Sequence, residues 1–386
     1  MRSVPQIYFL TVALLAGICS LAVAQAPVRG QIEILRKIGP KGEGHAAARQ
    51  AVDALNKAEI TALPEVLSAI DGANPLAQNW LRGVAEAIAQ KEVAKSGKLP
   101  IADLEKYLND KTRGPRSRRL AFELIAKVDA TAESRLIPGL LHDPSLELRR
   151  NAVALAITAA EVAEKADKAA GLAKYKTVFA AARDQDQIKQ IADKLKALGE
   201  PADLVTHYGF VVNWRLMAPF DNVEDKGWDI AYPPEKGVDY AAEVDGKEGK
   251  IRWVEHVTKH EAGMVDLTTA LAKHKGAICY ATSEFVSDKE QEVDFRLNCV
   301  TANKVWVNGK ELMANRKYHN TTGEDIDQYV CRASLKQGKN VILLKICQNE
   351  QTEPWAQRWQ FQFRVCDVIG TPIFSQDRTL PKMAKN

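Results

Sequence analysis

Leu136-Ile137-Pro138-Gly139-Leu140-Leu141-His142-Asp143-Pro144, followed by Leu148-Arg149-Arg150-Asn151-Ala152-Val153, reads as two apolar helices joined by a tight turn. From Arg149 a small residue follows after three positions, Ala152, and a large aliphatic one after three more, Leu155. The same step runs from Arg49 to Val52 and Leu55, from Arg82 to Ala85 and Ile88, from Arg118 to Ala121 and Leu124, and from Lys189 to Ala192 and Leu195. Successive units are 33, 36, 31 and 40 residues apart. A period of that size marks a helical repeat array, in which each unit hides its apolar face by stacking on a neighbour. Residues three apart share one side of a helix, so the small residue permits close approach while Leu or Ile fills the layer between units. Asp143 and Asp71 are expected to accept hydrogen bonds from exposed amides at the turns, and a following proline opens the next helix without losing a needed donor.

The quoted unit resembles the HEAT repeat: a first helix with paired leucines, an Asp-Pro turn, and a second helix with an arginine near its start. Leu63-Pro64-Glu65-Val66-Leu67 with Asn74-Pro75 and Leu81-Arg82 is similar to it. The units around Arg49 and Lys189 depart from the pattern, as terminal repeats do when one face meets solvent. The resemblance implies an all-α helical-repeat solenoid over residues 25–200, with a protein partner on its surface. Within it Lys111, Arg113, Arg116, Arg118 and Arg119 place five positive charges in nine residues around Gly114-Pro115. Gathered on a loop they would dock an anionic partner; the alternative is a solvated turn in which Arg118 is the repeat arginine.

The N-terminus belongs to neither half. Arg2, the apolar run Ile7 to Ile18, and Ala22-Val23-Ala24 before Gln25 form the pattern of a secretory signal peptide over residues 1–24. A retained anchor needs roughly 20 apolar residues, and Gly17, Cys19 and Ser20 interrupt this run. A secreted or periplasmic chain is expected, with no transmembrane segment after cleavage. The formal charge of +4 on 386 residues points to no nucleic-acid partner. Cys279, Cys299, Cys331, Cys347 and Cys366 form no C-x-x-C, so metal and redox motifs are absent. An odd number leaves one thiol unpaired unless it bridges molecules, and buried thiols in strands are the alternative to disulfides.

After Gly199-Glu200-Pro201 the period changes from helical to alternating, and six of the seven tryptophans appear. Val293, Phe295, Leu297 and Cys299 alternate with polar residues, as do Phe361, Phe363 and Val365. Val305 and Val307 lead into Asn308-Gly309, a two-residue hairpin turn in which both positions tolerate positive φ. Short strands between turn residues imply an all-β antiparallel sandwich.

Lys304-Val305-Trp306-Val307-Asn308-Gly309-Lys310, then Leu335, Gly338, Asn340 and Ile342-Leu343-Leu344-Lys345, resembles the galactose-binding-domain-like jelly roll found in accessory domains of glycoside hydrolases and in secreted bacterial proteins. The opening from Trp214 through Pro219-Phe220-Asp221-Asn222 to Tyr232-Pro233-Pro234-Glu235 is similar to the lead-in of envelope proteins that carry that domain. The resemblance covers residues 201–370, leaves 371–386 as a tail, and implies a fold more than a ligand. A glycan would stack on a loop aromatic while polar neighbours bond its hydroxyls. The candidates are Trp228 and Tyr232 in the lead-in, and Trp355 and Trp359 with Asn349, Gln357 and Arg358 before the last strand; the alternative is that Trp214, Trp253, Trp306 and Trp359 mainly fill the core.

Enzyme signatures fail: there is no G-x-S-x-G, H-E-x-x-H or phosphate-binding loop, and no catalytic residue is assigned. His256 and His260 are spaced for a helical metal pair, but they follow a strand-like run, so no metal site is assigned. No cofactor is expected beyond a structural Ca²⁺, which would need several of Asp221, Asp225, Asp229 and Asp325 to converge. The sequence is thus read as an exported, non-catalytic adaptor recognising an envelope protein or a glycan. The alternative is an accessory subunit or hydrolase acting on carbohydrate, which paired carboxylates in an aromatic cleft would favour.

Overall fold

The computed structural model describes residues 28–319 and 326–380, and the chain divides into two compact units between Gly199 and Glu200. The expected leader lies outside the described residues. The first unit is helical and the second is an antiparallel, β-sandwich-like assembly.

After a helical stretch at 28–36, the first unit contains α1 (His45–Leu55), α2 (Leu63–Ile70), α3 (Pro75–Ser96), α4 (Ile101–Asn109), α5 (Pro115–Ala126), α6 (Ala132–Leu136), α7 (Leu146–Ala166), α8 (Lys168–Ala181) and α9 (Gln185–Ala197). The caps follow from the sequence. Asn74 accepts from the amides of Leu76 and Ala77 at the start of α3, Ser145 accepts from Leu148 at α7, and Asp167 accepts from Ala169 and Ala170 at α8. One apolar cluster runs from Ile32 to Ala152, taking in Leu81, Ala85, Ile88, Ala121 and Leu124 of the repeated pattern.

Side chains tie each helix pair to the next at about the repeat spacing. Arg36 donates to the Ala69 carbonyl (2.8 Å), Asn74 to Ile38 (2.8 Å), Lys91 to Lys57 (2.8 Å) and Gln187 to Arg150 (2.9 Å). Asp143 accepts from the Ser145 amide at its own turn, as expected, whereas Asp71 instead receives the Gly114 amide (2.9 Å) and the Ser117 hydroxyl (2.7 Å) from the following unit. The quoted first helix is shorter than expected: α6 tightens into a 3₁₀ turn at Ile137–Leu140, where Pro138 removes a helical donor.

The second unit opens with α10 (Leu204–Tyr208) and builds a six-stranded sheet in the order β4 (Val254–Val257), β1 (Asn213–Asp221), β6 (Ala277–Ser287), β11 (Gly338–Gln348), β8 (Asn303–Val307), β9 (Lys310–Asn315). A four-stranded sheet has the order β10 (Tyr329–Leu335), β7 (Gln291–Cys299), β12 (Gln360–Cys366), β5 (Val265–Asp266), and β2 (Glu243–Gly246) with β3 (Gly249–Arg252) forms a separate hairpin. Asn308 and Gly309 turn the β8–β9 hairpin with φ of 51° and 80°, the left-handed region that such a turn demands. Leu216, Ala281, Ile342 and Leu344 of the first sheet share a core with Phe295, Leu297, Phe361 and Phe363 of the second.

The outer face of the six-stranded sheet is also buried. Met217, Phe220, Ile278, Tyr280, Trp306 and Leu343 pack beneath the lead-in, with Trp228 buried and Tyr232, Val244 and Trp253 against it. Burial on both faces explains why Val341-Ile342-Leu343-Leu344 is continuously apolar instead of alternating. Lys345 sits wholly buried in this layer, its Nζ donating to the Trp228 and Ile230 carbonyls (3.1 and 2.9 Å) and to Glu235 Oε1 (2.8 Å), so that it fastens the lead-in to β11. Residues 371–380, expected as a tail, belong to this unit: the Ile373 amide donates to Val365, the Gln376 amide to Val286, and the Asn213 side chain to Thr379 (2.8 Å). Among the described residues no helix is long and apolar enough to cross a membrane.

Candidate binding site

One end of the six-stranded sheet gathers the last residues of β1, β9 and β11 and the first of β6, because antiparallel pairing sets Asp221 and Gln348 opposite Ala277 and Asn315 opposite Asn303. The loops leaving that end are stitched together. The Asn222 amide donates to Gly276 (2.8 Å), the Gly276 amide donates to Asn349 (3.0 Å), and buried Asn222 donates through Nδ2 to the Tyr318 hydroxyl (2.9 Å) and the Gln348 carbonyl (3.2 Å). Tyr318 donates in turn to Asp225. Burial pushes its hydroxyl above the usual tyrosine range, which keeps it a donor. Glu224 and Asp225 both hold positive φ, at 57° and 58°, a conformation non-glycine residues keep only where surrounding bonds enforce it.

On this rim Trp355 projects outward with 58% of its surface exposed. Its backbone is anchored beneath: Lys275 Nζ (2.9 Å) and Gln348 Nε2 (3.3 Å) both donate to the adjoining Ala356 carbonyl, and Gln357 Nε2 closes the loop onto Thr352 (2.6 Å) and Glu353 (3.0 Å). The His319 ring stands edge-on to Trp355, with centroids 5.1 Å apart and planes at 83°. His319 Nε2 meets Asn349 Oδ1 at 2.8 Å, and Asn349 Nδ2 donates to Gln351 Oε1 (2.7 Å). The result is an exposed indole with an imidazole edge against it and the exposed Arg358 three residues further along the same loop. It can stack against a flat apolar surface while hydrogen bonding at its border.

The structure thus brings together Asn349, Trp355, Gln357 and Arg358 along one loop, although Gln357 and Asn349 spend amide donors within it. Trp228 and Tyr232 do not join them as ligand platforms. Trp228 is 7% exposed, with Lys304 Nζ 4.7 Å from its ring centre, and Tyr232 packs on Phe220 at 4.7 Å and donates to the Asp221 carbonyl (2.7 Å). Both are held by the outer layer of the core. Trp214 and Trp306 are buried in the core, and so is Trp359, whose burial removes it as a ligand platform. His319 and Tyr318 escaped sequence reading; the aromatic run directly after the β9 strand was the available sign.

The basic patch of the helical unit is dispersed by pairing. Arg118 is wholly buried against Asp143, Arg113 meets Asp110 (3.2 Å), Arg116 donates to Gln78, and Arg119 meets Glu123 (2.8 Å). Arg118 therefore presents no charge to a partner, and of the five only Lys111 has no side-chain hydrogen bond or ion pair among the described residues. The carboxylates considered for Ca²⁺ are likewise engaged by cations. Asp221 lies near Lys247 (3.5 Å), while Asp225 and Asp229 share Arg316 (2.6 and 3.3 Å); Asp325 lies outside the described residues. No group of three or more His, Cys, Asp or Glu side chains is placed to hold a metal among the described residues. His256 lies in β4, where burial holds its pKa below the usual value, and His260 is separate in a loop, its Nδ1 accepting from the Ala262 amide (3.1 Å). The five cysteines are free thiols, all buried except the partly exposed Cys331.

No protein-family model matches this chain, and no curated protein does. Among solved structures, an anti-sigma factor domain-containing protein from Clostridium clariflavum is 14% identical over 46% of this chain and 49% of its own, with a TM-score of 0.21. A β-glucosidase from Kluyveromyces marxianus is 12% identical over 45% of this chain and 21% of its own, with a TM-score of 0.24. The same enzyme in complex with glucose gives 12%, 45%, 20% and 0.22. The chain thus spans about half of the first protein and about a fifth of the second, and likenesses this slight carry neither fold nor activity across to it.

Proposed function

We propose that this chain is an exported, non-catalytic binding protein: a signal peptide over 1–24, a HEAT-like solenoid over 25–200 that holds an envelope protein, and a galactose-binding-like jelly roll from 201 that takes a glycan at Trp355. The repeat spacing of the arginine-led motif and the bonds between successive helix pairs support the solenoid. The leader pattern supports export. The observation that carries the glycan reading is the exposed Trp355 ring, fixed from below through Ala356 and from the side by His319. A pre-positioned aromatic face loses little entropy on binding a pyranose, which suits weak, selective recognition.

A glycan array probed with the labelled protein, followed by titration of any hit against the wild type and Trp355→Ala, tests this reading. Binding that disappears in Trp355→Ala while the fold persists is the expected result. Equal binding by the variant, or no binding across the array, overturns it.

A further inference from the structure

Among the described residues the two main sheets have four edges, and three of them are guarded. β9 begins with exposed Lys310 and Glu311 and meets β8 through an irregular register at Val305/Trp306; β10 carries Arg332; β5 is two residues long. β4 differs. Its Val254-Glu255-His256-Val257 has no proline, lysine, arginine or bulge, its single charge Glu255 is met by Arg215 (3.4 Å), and Val254 and Val257 are 50% and 44% exposed. The Thr258 amide donates to Val212 on the β1 side (3.0 Å), and bonding residues alternate along an antiparallel strand, so 254 and 256 turn their backbone groups toward β1. Glu255 and Val257 therefore direct theirs away from the sheet.

A cleft of about 380 Å³ opens beside this strand, lined by Trp214, His256, Ser283, Phe374 and Arg378 among others. Trp214 pairs with His256 across the ladder and belongs to the core face, so a side chain added opposite His256 would point toward this cleft. On the opposite face Glu255 is 82% exposed, with Arg215 as its ion-pair contact at 3.4 Å. We propose that β4 is a docking edge for an extended segment of a partner protein, which adds a strand to the sheet, seats an apolar side chain in the cleft and sets a basic residue against Glu255. Backbone N–H and C=O recurring every second residue, about 6.8 Å, are what the open edge matches, and a glycan does not offer them. A second copy of this chain fits poorly. Twofold antiparallel pairing sets Glu255 against Glu255, or His256 against His256 with Glu255 against Val257. This site is distinct from the Trp355 rim and does not depend on it.

The test uses the ¹⁵N-labelled protein and the peptide acetyl-Thr-Phe-Lys-Val-Thr-Val-amide, with amide hydrogen exchange as the readout. Peptide should slow exchange at Glu255 and Val257 by about tenfold or more, since those amides gain partners. Val257→Pro removes an outward donor, a change an edge strand tolerates, and should abolish the slowing while the 254 and 256 amides keep their protection. Glu255→Lys should weaken binding of the Lys peptide and restore it with Glu in that position, which keeps the test valid should the proline variant lose its fold. No slowing at saturating peptide, slowing that survives Val257→Pro, or protection that tracks protein concentration without peptide would each overturn the proposal, the last by identifying a second copy as the occupant.

Discussion

Arg118 and Asp143 meet as a buried, two-pronged ion pair in the helical unit, with guanidinium nitrogens 2.8 and 2.7 Å from the two carboxylate oxygens and neither side chain exposed. Arg118 Nε also donates to the Leu108 carbonyl (2.7 Å), while the Asp143 carbonyl accepts from Arg149 (2.8 Å), so one pair ties together α4, α5 and α7. Removing one partner strands a buried charge. Arg118→Leu is expected to destabilise the protein by ~3–5 kcal/mol, and the double variant Arg118→Leu/Asp143→Leu by less than the sum of the singles. Urea denaturation followed by far-ultraviolet circular dichroism checks both; additive losses would refute the coupling.

Trp355 and Trp359 lie four residues apart and should respond oppositely. Trp359 is fully buried, with Nε1 donating to Ile346 (3.2 Å), so Trp359→Ala should cost ~3–5 kcal/mol. Trp355→Ala should stay within about 0.5 kcal/mol of wild type, as surface changes do. A comparable loss at both positions would mean that Trp355 is a packing residue.

The change from helix to strand near residue 200 was legible because periodicity reports which face is buried, and both patterns are long. The ligand candidates were less so. Trp228 stands beside Gly227 and Asp229 in what reads as an exposed loop, yet the lead-in folds over the second face of the six-stranded sheet and buries it. The run from Lys111 to Arg119 reads as one patch because the groups that pair with Arg118 and Arg116 come from 25 and 38 residues away. The exposure of Trp355 was legible from Pro354 and its position between strands; its neighbour His319 was not, since strand order alone brings the two together.

Asp327 gives the β unit an acid limit. Burial opposes its ionisation, but Arg364 and Arg296 outweigh that and hold its pKa below the usual aspartate value. Arg364 Nε lies 2.7 Å from Oδ1 and Arg296 2.8 Å from Oδ2. Because the folded value is depressed, the stabilisation is present above the unfolded pKa of ~3.9 and is lost as the pH falls through the folded value. Stability measured from pH 6 downward should fall below about pH 4, and Asp327→Asn should be less stable at neutral pH with a flatter decline. An unchanged slope in the variant would assign the acid limit elsewhere.

Thiol reactivity should separate Cys331 from the rest. Burial pushes the Cys299 thiol up to about 12 and Cys366 up to about 11, and raises Cys279 and Cys347 further, so little thiolate forms at neutral pH. Iodoacetamide should modify Cys331 first in the native protein, and the four buried thiols after unfolding. Early modification of Cys279 or Cys347, read by peptide mass spectrometry, would contradict the burial that places them in the core.

The two units should fold apart. Each has its own apolar clusters, Ile32 to Ala152 in the helical unit and the two sheet faces in the other, and the spacing of buried residues changes from helical to alternating between them. Fragments 25–200 and 201–386 should both be soluble, the first with a helical circular dichroism spectrum and a cooperative melt, the second with a β spectrum. The β fragment should keep residues 371–380, since Val365, Val286 and Asn213 bond to that segment; ending it at residue 370 should lower its melting temperature. Aggregation of both fragments, or comparable helix in each, would show that the chain folds as one cooperative body and refute the division at Gly199.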